Sequence, residues 1–411
     1  MDREKNANKK KLHVMQLFHA RYPEILGGID MMLVTLMEGL LSRCQVTLFI
    51  PGEWSDNQWK RARYHDILTI RQRLHMPKLE GSFFLRLKIF LGWAWEFPQT
   101  LWKLKKILFD MQVDVIHIHT LHTYSIYFYI LRKLGGPPYL VTLHGTDLVK
   151  FNRHVGLTRW FLKKVLSGAE LVVTVSPSML TLAQKTLEGL VSVVSVFNGY
   201  SLPKLSTEEG IEKRASIDLP LLPKRFALMV GWICLSKGVD LVVRNWPDVL
   251  LRHPDLHFVH VGSEQFSPAF SIEIKQLAYQ IAPDHIHFLG SLPHDLLLKI
   301  YTKAELFLMP SESEGMPYAL LEAGMLGVPA VLSRIPAFES FIEEGKEAFF
   351  CHFGDDISFL SAVDSLVSSP LQAKEIGYRL QKKLKEHCSM EAMCDHYFKI
   401  YCKIVKLDIY S

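Results

Sequence analysis

The chain has 411 residues, 49% of them hydrophobic and 22% charged, which suits two domains of about 150 to 200 residues with cores of their own and excludes a disordered chain. Its net charge of +5 is unevenly divided: residues 1–200 hold 26 Lys and Arg against 15 Asp and Glu, and residues 201–411 hold 21 against 27. The basic first half suits an anionic partner such as a membrane leaflet, while the six cysteines (Cys44, Cys234, Cys351, Cys388, Cys394 and Cys402) form no C-x-x-C pair and are read as free thiols in a reducing compartment.

The first apolar run, residues 12–18, is a strand; it is broken by His13 and Gln16 and is too short for a signal-peptide core. Further runs at 45–50, 113–119, 139–143, 171–175 and 193–196 alternate with helical stretches, which predicts a parallel sheet covered on both faces: a Rossmann-like domain over residues 1–200. Within it, residues 83–111 set Trp93, Trp95 and several phenylalanines beside Lys88 and other basic residues at roughly helical spacing, which suits a helix lying in a membrane interface. The alternative is a pair of amphipathic helices packed on the sheet, with Pro98 between them. His117, His119 and His122 lack a cysteine or carboxylate at ligand spacing, so they are read as core or crevice histidines and not as a zinc site.

A linker rich in Pro, Ser and charge covers 198–223, and the strand pattern then restarts at 226–230, 257–261, 285–289, 306–309 and 330–332. This is a second Rossmann-like domain, residues 201–385, followed by a terminal helix at 386–411 that crosses back to the first domain. The tail from 371 reads as helix throughout. No G-x-G-x-x-G follows the first strand of either half, which argues against a nicotinamide dehydrogenase. No uncharged stretch is long enough to span a bilayer, and the expected location is cytoplasmic, at the inner face of a membrane.

The most informative block is residues 310–329, PSESEGMPYALLEAGMLGVP. It leaves a strand, turns through Gly315-Met316-Pro317 and enters a helix near Tyr318. A helix end of this kind presents amides and a positive dipole to a phosphate, at the edge of a parallel sheet where ligands collect. Glu314 and Glu322 flank it, one in the loop and one a turn into the helix.

This block resembles the signature of glycosyltransferase family 4, in which two glutamates separated by seven residues frame a donor-binding turn. The resemblance implies an α/β chain of GT-B architecture: two Rossmann-like doubly wound domains facing across a crevice. It implies a retaining hexosyltransferase using a nucleotide sugar, UDP-linked in preference to GDP-mannose, with no metal ion and no nucleic acid partner. Glu314 then lies by the donor sugar, Glu322 bonds the ribose hydroxyls, and the amides of Tyr318, Ala319 and Leu320 hold the diphosphate. Gly27-Gly28 looks like the family's glycine loop, residues 114–119 and His144-Gly145-Thr146-Asp147 like two strand-end segments, and Asn198-Gly199 like the handover to the linker. His144 is placed against the sugar or the acceptor and Asp147 among the donor-binding residues.

Residues Val230-Gly231-Trp232 and Lys237-Gly238-Val239-Asp240 are similar to the family's phosphate-binding segment. Lys237 neutralises the diphosphate in that reading. Most relatives carry an arginine where this chain has Trp232, and the sequence does not place Arg21, Arg153 or Arg334 as a substitute. The acceptor is a glycan or lipid-linked glycan of surface polysaccharide or glycolipid synthesis, bound by the first domain. Two other readings share the architecture: a relative that binds nucleotide sugar with little turnover, and a nucleotide-sugar epimerase.

Overall fold

The computed structural model describes residues 11–19, 27–51, 60–64, 66–74, 83–202 and 222–407. The chain divides into two units, Met1–Phe197 together with Met390–Ser411, and Asn198–Ser389.

The first unit is built on a sheet whose described strands are β1 (Leu12–Leu17), β2 (Cys44–Pro51), β3 (Lys60–Tyr64), β4 (Ile67–Gln72), β5 (Val115–His119), β6 (Tyr139–Leu143), β7 (Leu171–Thr174) and β8 (Val193–Ser195). They run in the order β3-β4-β2-β1-β5-β6-β7-β8, all pairs parallel except β3 with β4. All six strands expected in this half form. β1, β5 and β6 are buried along their whole length, as strands covered on both faces must be. The sequence reading did not include β3 and β4. β3 reads KRARY, and basic residues on an edge strand discourage further pairing while hiding the apolar alternation that marks a strand.

The centre of this sheet is polar, and the helix Met390–Val405 closes it. One face of that helix buries Met393, Cys394, Tyr397, Tyr401 and Cys402, the spacing of an amphipathic stripe. Tyr401 Oη lies 2.7 Å from His117 Nδ1 and accepts from Gln16 Nε2 at 3.3 Å. His117 Nε2 lies 2.7 Å from Thr142 Oγ1, which is 3.1 Å from Tyr397 Oη. His119 Nε2 is 2.7 Å from Gln16 Oε1. Where the same helix crosses Gly28–Leu40, a Cβ on Gly39 would collide with the Cys394 sulfur, so only glycine permits the approach.

Residues 83–110 form a single helix, Phe83–Asp110, with Pro98 inside it and not between two helices. Proline removes one backbone bond and fixes φ near the helical value; Ala94, whose carbonyl loses its donor, is exposed and can turn to solvent.

The second unit holds a parallel sheet of β9 (Phe226–Val230), β10 (His257–Val261), β11 (Ile286–Phe288), β12 (Leu306–Met309), β13 (Ala330–Ser333) and β14 (Phe349–Cys351), in the order β11-β10-β9-β12-β13-β14. The order reverses between β9 and β12, which is the doubly wound pattern with its switch point, where loops part and ligands bind. The first five strands were expected; β14 has three residues, too few to show a period. The 371–411 tail forms two described helices, Pro370–His387 and Met390–Val405, and residues 203–221 of the expected linker lie outside the described residues.

Burial holds His117 and His119 well below their ordinary value of 6.5, and His122 and His144 down to about 4. The unfolded chain takes protons that these rings refuse, so their contribution to stability is complete above pH ~6.5 and is lost as pH falls toward ~4. Urea midpoints across that window should fall with pH, and His119→Gln should flatten the fall; a wild-type midpoint constant down to pH ~5 would contradict the assignment.

Candidate functional site

In the second unit, two loops meet at the switch point. The chain leaves β9 through Gly231 and Trp232, makes a short turn at Leu235–Lys237, and passes Gly238 at φ 74° into the helix Val239–Arg252. A Cβ at Gly238 would strike the Pro310 carbonyl. This position requires glycine twice over, for its left-handed backbone and for the contact. The second loop, running from β12 to the helix Tyr318–Met325, is bonded across the same gap: Glu312 N donates to the Ser236 carbonyl at 2.9 Å, and Lys237 Nζ donates to Glu314 Oε1 at 2.6 Å. The Glu314 side chain is 9% exposed and that of Lys237 28%, so the ammonium is the more open partner, held in place by a nearly closed carboxylate.

Beyond Pro317 the helix begins with Tyr318. The Leu320 amide bonds back to the Pro317 carbonyl at 3.2 Å, so of the three amides assigned to the diphosphate, those of Tyr318 and Ala319 head the helix and that of Leu320 is already engaged. The Tyr318 ring is buried, and its hydroxyl donates to the Gly199 carbonyl at 2.6 Å, while Asn198 Nδ2 donates to the Met316 carbonyl at 3.0 Å. The Asn198-Gly199 segment is thereby tied to the turn.

Glu322 is buried one turn deeper, and its Oε1 lies 2.8 Å from His294 Nε2. The hydrogen bond to Glu322 raises the His294 pKa against the opposing effect of burial. His294 was not singled out from sequence; a lone histidine opening a helix carries no signal until the sheet places it opposite a carboxylate. Trp232 is 44% exposed and stacks on Phe266 with ring centres 4.7 Å apart and planes 13° apart. Its aromatic partner, 34 residues on, was equally invisible in the sequence. Of the three arginines considered, Arg334 is paired with Glu339 and Glu344, Arg153 is an exposed residue of the first unit, and Arg21 lies outside the described residues.

The other predicted residues gather in the first unit, beside its own switch between β1 and β5. Gly28 opens the helix Gly28–Leu40, and the following residue, Ile29, lines a pocket of about 180 Å³ together with His144 and Asp147. His144 is 8% exposed, and its ring stacks over His119 at 5.7 Å. Asp147 lines the same pocket, and its carboxylate accepts the His144 amide at 2.6 Å and the Leu121 amide at 3.1 Å, so it also braces two loops. Burial raises its pKa against those two amide bonds.

Comparison with known proteins agrees with this architecture. Residues 26–195 match the model of Glycosyltransferase Family 4, and residues 213–383 match that of Glycosyl transferases group 1. The chain is 24% identical over 392 residues to an uncharacterised glycosyltransferase of Methanocaldococcus jannaschii, covering 92% of this chain and 95% of the relative. It is 21% identical over 316 residues to the N-acetyl-alpha-D-glucosaminyl L-malate synthase of Bacillus anthracis, covering 74% and 79%. Among solved structures, sucrose-phosphate synthase from Thermosynechococcus elongatus shares the fold with a TM-score of 0.75 at 16% identity, over 96% of this chain and 100% of that one. Two family models placed end to end, over two doubly wound sheets, identify the chain as a GT-B glycosyltransferase of family 4.

Proposed function

We propose that this glycosyltransferase moves a hexose-type sugar, with retention, from a nucleoside diphosphate donor to a glycan or lipid-linked acceptor at an anionic membrane surface. A UDP-sugar is the favoured donor and GDP-mannose the second. The observation that carries the donor half is the Lys237–Glu314 pair at 2.6 Å, set beside the head of the helix Tyr318–Met325 at the switch of the second sheet.

In this reading the acceptor hydroxyl attacks the anomeric carbon on the face that the diphosphate leaves. The bond from carbon to phosphate oxygen breaks, and that oxygen takes the hydroxyl proton. The protein positions the reactants and stabilises the leaving group. Lys237 and the amides of Tyr318 and Ala319 face the diphosphate, Glu314 orients both Lys237 and the sugar, and His294 holds Glu322 toward the ribose. His144, neutral at pH 7 because burial lowers its pKa to about 4, offers the first unit's contact to sugar or acceptor.

The second half rests on the helix Phe83–Asp110. Leu91, Trp95, Trp102 and Phe109 are exposed and recur at i, i+4, i+11 and i+18, which returns each to one face of a 3.6-residue period. Trp95 is 78% and Phe109 81% exposed. Lys88, Lys103, Lys105 and Lys106 are exposed on the same helix, and Trp160 stands exposed beside Lys163 and Lys164 on the helix Gly156–Gly168. An apolar stripe flanked by lysines suits the interface of an anionic leaflet. Trp93 does not belong to that stripe: it packs against Phe97 at 4.9 Å and Phe161 at 6.5 Å. Among the described residues no helix is long and apolar enough to cross a membrane.

Trp232 favours one competing reading, a donor-binding protein with little turnover, because an arginine at that position would share the charge of the leaving diphosphate. Transfer or donor hydrolysis at rates indistinguishable from buffer, alongside tight donor binding, would establish it.

Three outcomes are expected. A panel of uridine, guanosine and adenosine diphosphate sugars should raise the melting temperature for one base, and Glu322→Ala should abolish the shift by removing the ribose contact; a shift that survives in Glu322→Ala refutes that role. Lys237→Ala should lower kcat by roughly 100- to 1,000-fold with donor binding less affected, the scale of losing one preorganised charge at a leaving group; equal kcat in wild type and variant would remove Lys237 from the mechanism. The protein should sediment with anionic vesicles at low salt, and the Trp95→Ala, Trp102→Ala double variant should remain in the supernatant. Sedimentation unchanged by those substitutions would exclude the stripe.

A further inference from the structure

We infer that Tyr200, at the start of the second unit, is a positioning residue for the donor site: its ring seats His294 against Glu322 and braces Tyr318 at the head of the helix Tyr318–Met325. The inference rests on the reading of the second unit as the donor side.

Tyr200 is 2% exposed and packs against two residues of that site. Its ring meets the His294 ring edge-on, with centres 6.4 Å apart and planes at 84°, and the Tyr318 ring in the same way, at 5.8 Å and 90°. Edge-to-face contact at such distances is a favoured geometry of aromatic pairs. The His294 side chain is 30% exposed, against 7% for Glu322. An imidazole so placed at the first position of a helix has several rotamers open to it, and a ring packed on its side removes that freedom. Tyr200 thereby fixes the direction of the nitrogen, Nε2, that lies 2.8 Å from Glu322 Oε1.

The Tyr200 hydroxyl lies 3.4 Å from the same nitrogen. Nε2 carries one hydrogen, and the carboxylate is the nearer acceptor, so Tyr200 acts on His294 through its ring. Burial first, and then the Glu322 carboxylate, push the Tyr200 phenol above its ordinary value; the hydroxyl stays neutral beside the anion.

The backbone of Tyr200 is held independently of either ring. Its amide donates to the Cys388 carbonyl at 2.8 Å, and Tyr200 forms a parallel bridge with Ser389. The two residues before it are tied to the donor turn, through the Met316 carbonyl and the Tyr318 hydroxyl. A side chain on backbone fixed in this way is a rigid support for the groups it touches. Filling the core there would ask only for an apolar side chain, whereas edge-on contact with two rings asks for an aromatic one.

Isothermal calorimetry on the full chain with uridine and guanosine diphosphates, each compared with its 2′,3′-dideoxy counterpart, tests the role. At least one ribonucleotide should bind wild type. Tyr200→Leu should weaken that ribonucleotide about tenfold and its dideoxy counterpart by a smaller factor, because without the hydroxyls Glu322 has nothing to hold. Tyr200→Phe, which keeps the ring, should restore wild-type affinity. His294→Ala should reproduce the loss with Tyr200 in place, and it supplies the reading if Tyr200→Leu does not fold. Wild-type affinity for the ribonucleotide in Tyr200→Leu or His294→Ala overturns the inference, as does an equal loss for both nucleotides, or a loss in Tyr200→Phe that matches Tyr200→Leu. Absence of ribonucleotide binding in wild type removes the donor reading itself; binding that Tyr200→Leu leaves unchanged removes only the role of Tyr200.

Discussion

The carbonyl of Pro310 occupies the space that a side chain on residue 238 would need, and the candidate site of the second unit is organised around that contact. It brings the loop after β9 within bonding distance of the loop after β12. Once they touch, the Ser236–Glu312 bond and the Lys237–Glu314 pair follow with little further loss of backbone freedom, because both loops are already anchored on parallel strands. The helix Tyr318–Met325 then starts in a fixed direction, and its first amides share a target with the Lys237 ammonium. A helix end, a lysine and a carboxylate become one arrangement with a single orientation.

The first unit solves the same geometric problem with a different group. Its two loops at the switch are joined by the carboxylate of Asp147, which accepts one amide from each. A carboxylate bonded to two backbone amides is a rigid brace between the two loops. Lys237 paired with Glu314 ties the loops at one switch, and Asp147 with two backbone amides ties them at the other.

Much of this was legible in the chain. Strands whose residues are buried on both faces announce themselves as unbroken apolar runs, which is why β9, β10 and β12 were located to the residue, and the 310–329 block marked the helix end because turn chemistry and helix start are local. Partners distant in sequence were not legible: His294 with Glu322 and Phe266 with Trp232 depend on which strands lie side by side. The two amides that Asp147 holds were not legible either, because an aspartate near a strand end gives no sign of which backbone groups it meets. β3 and β14 escaped because one is a basic edge and the other only three residues long.

The helix Met390–Val405 supplies Tyr397 and Tyr401 to a hydrogen-bonded cluster whose other members, Gln16, His117, His119 and Thr142, come from the first half of the chain. During synthesis those four polar groups emerge long before the two tyrosines exist. The first unit is discontinuous in sequence and the second runs unbroken from Asn198 to Ser389, so the first unit's polar centre is satisfied only when the last segment of the chain docks on it. Until residue 401 is made, the interior of the first unit must remain open to water or be covered by something else.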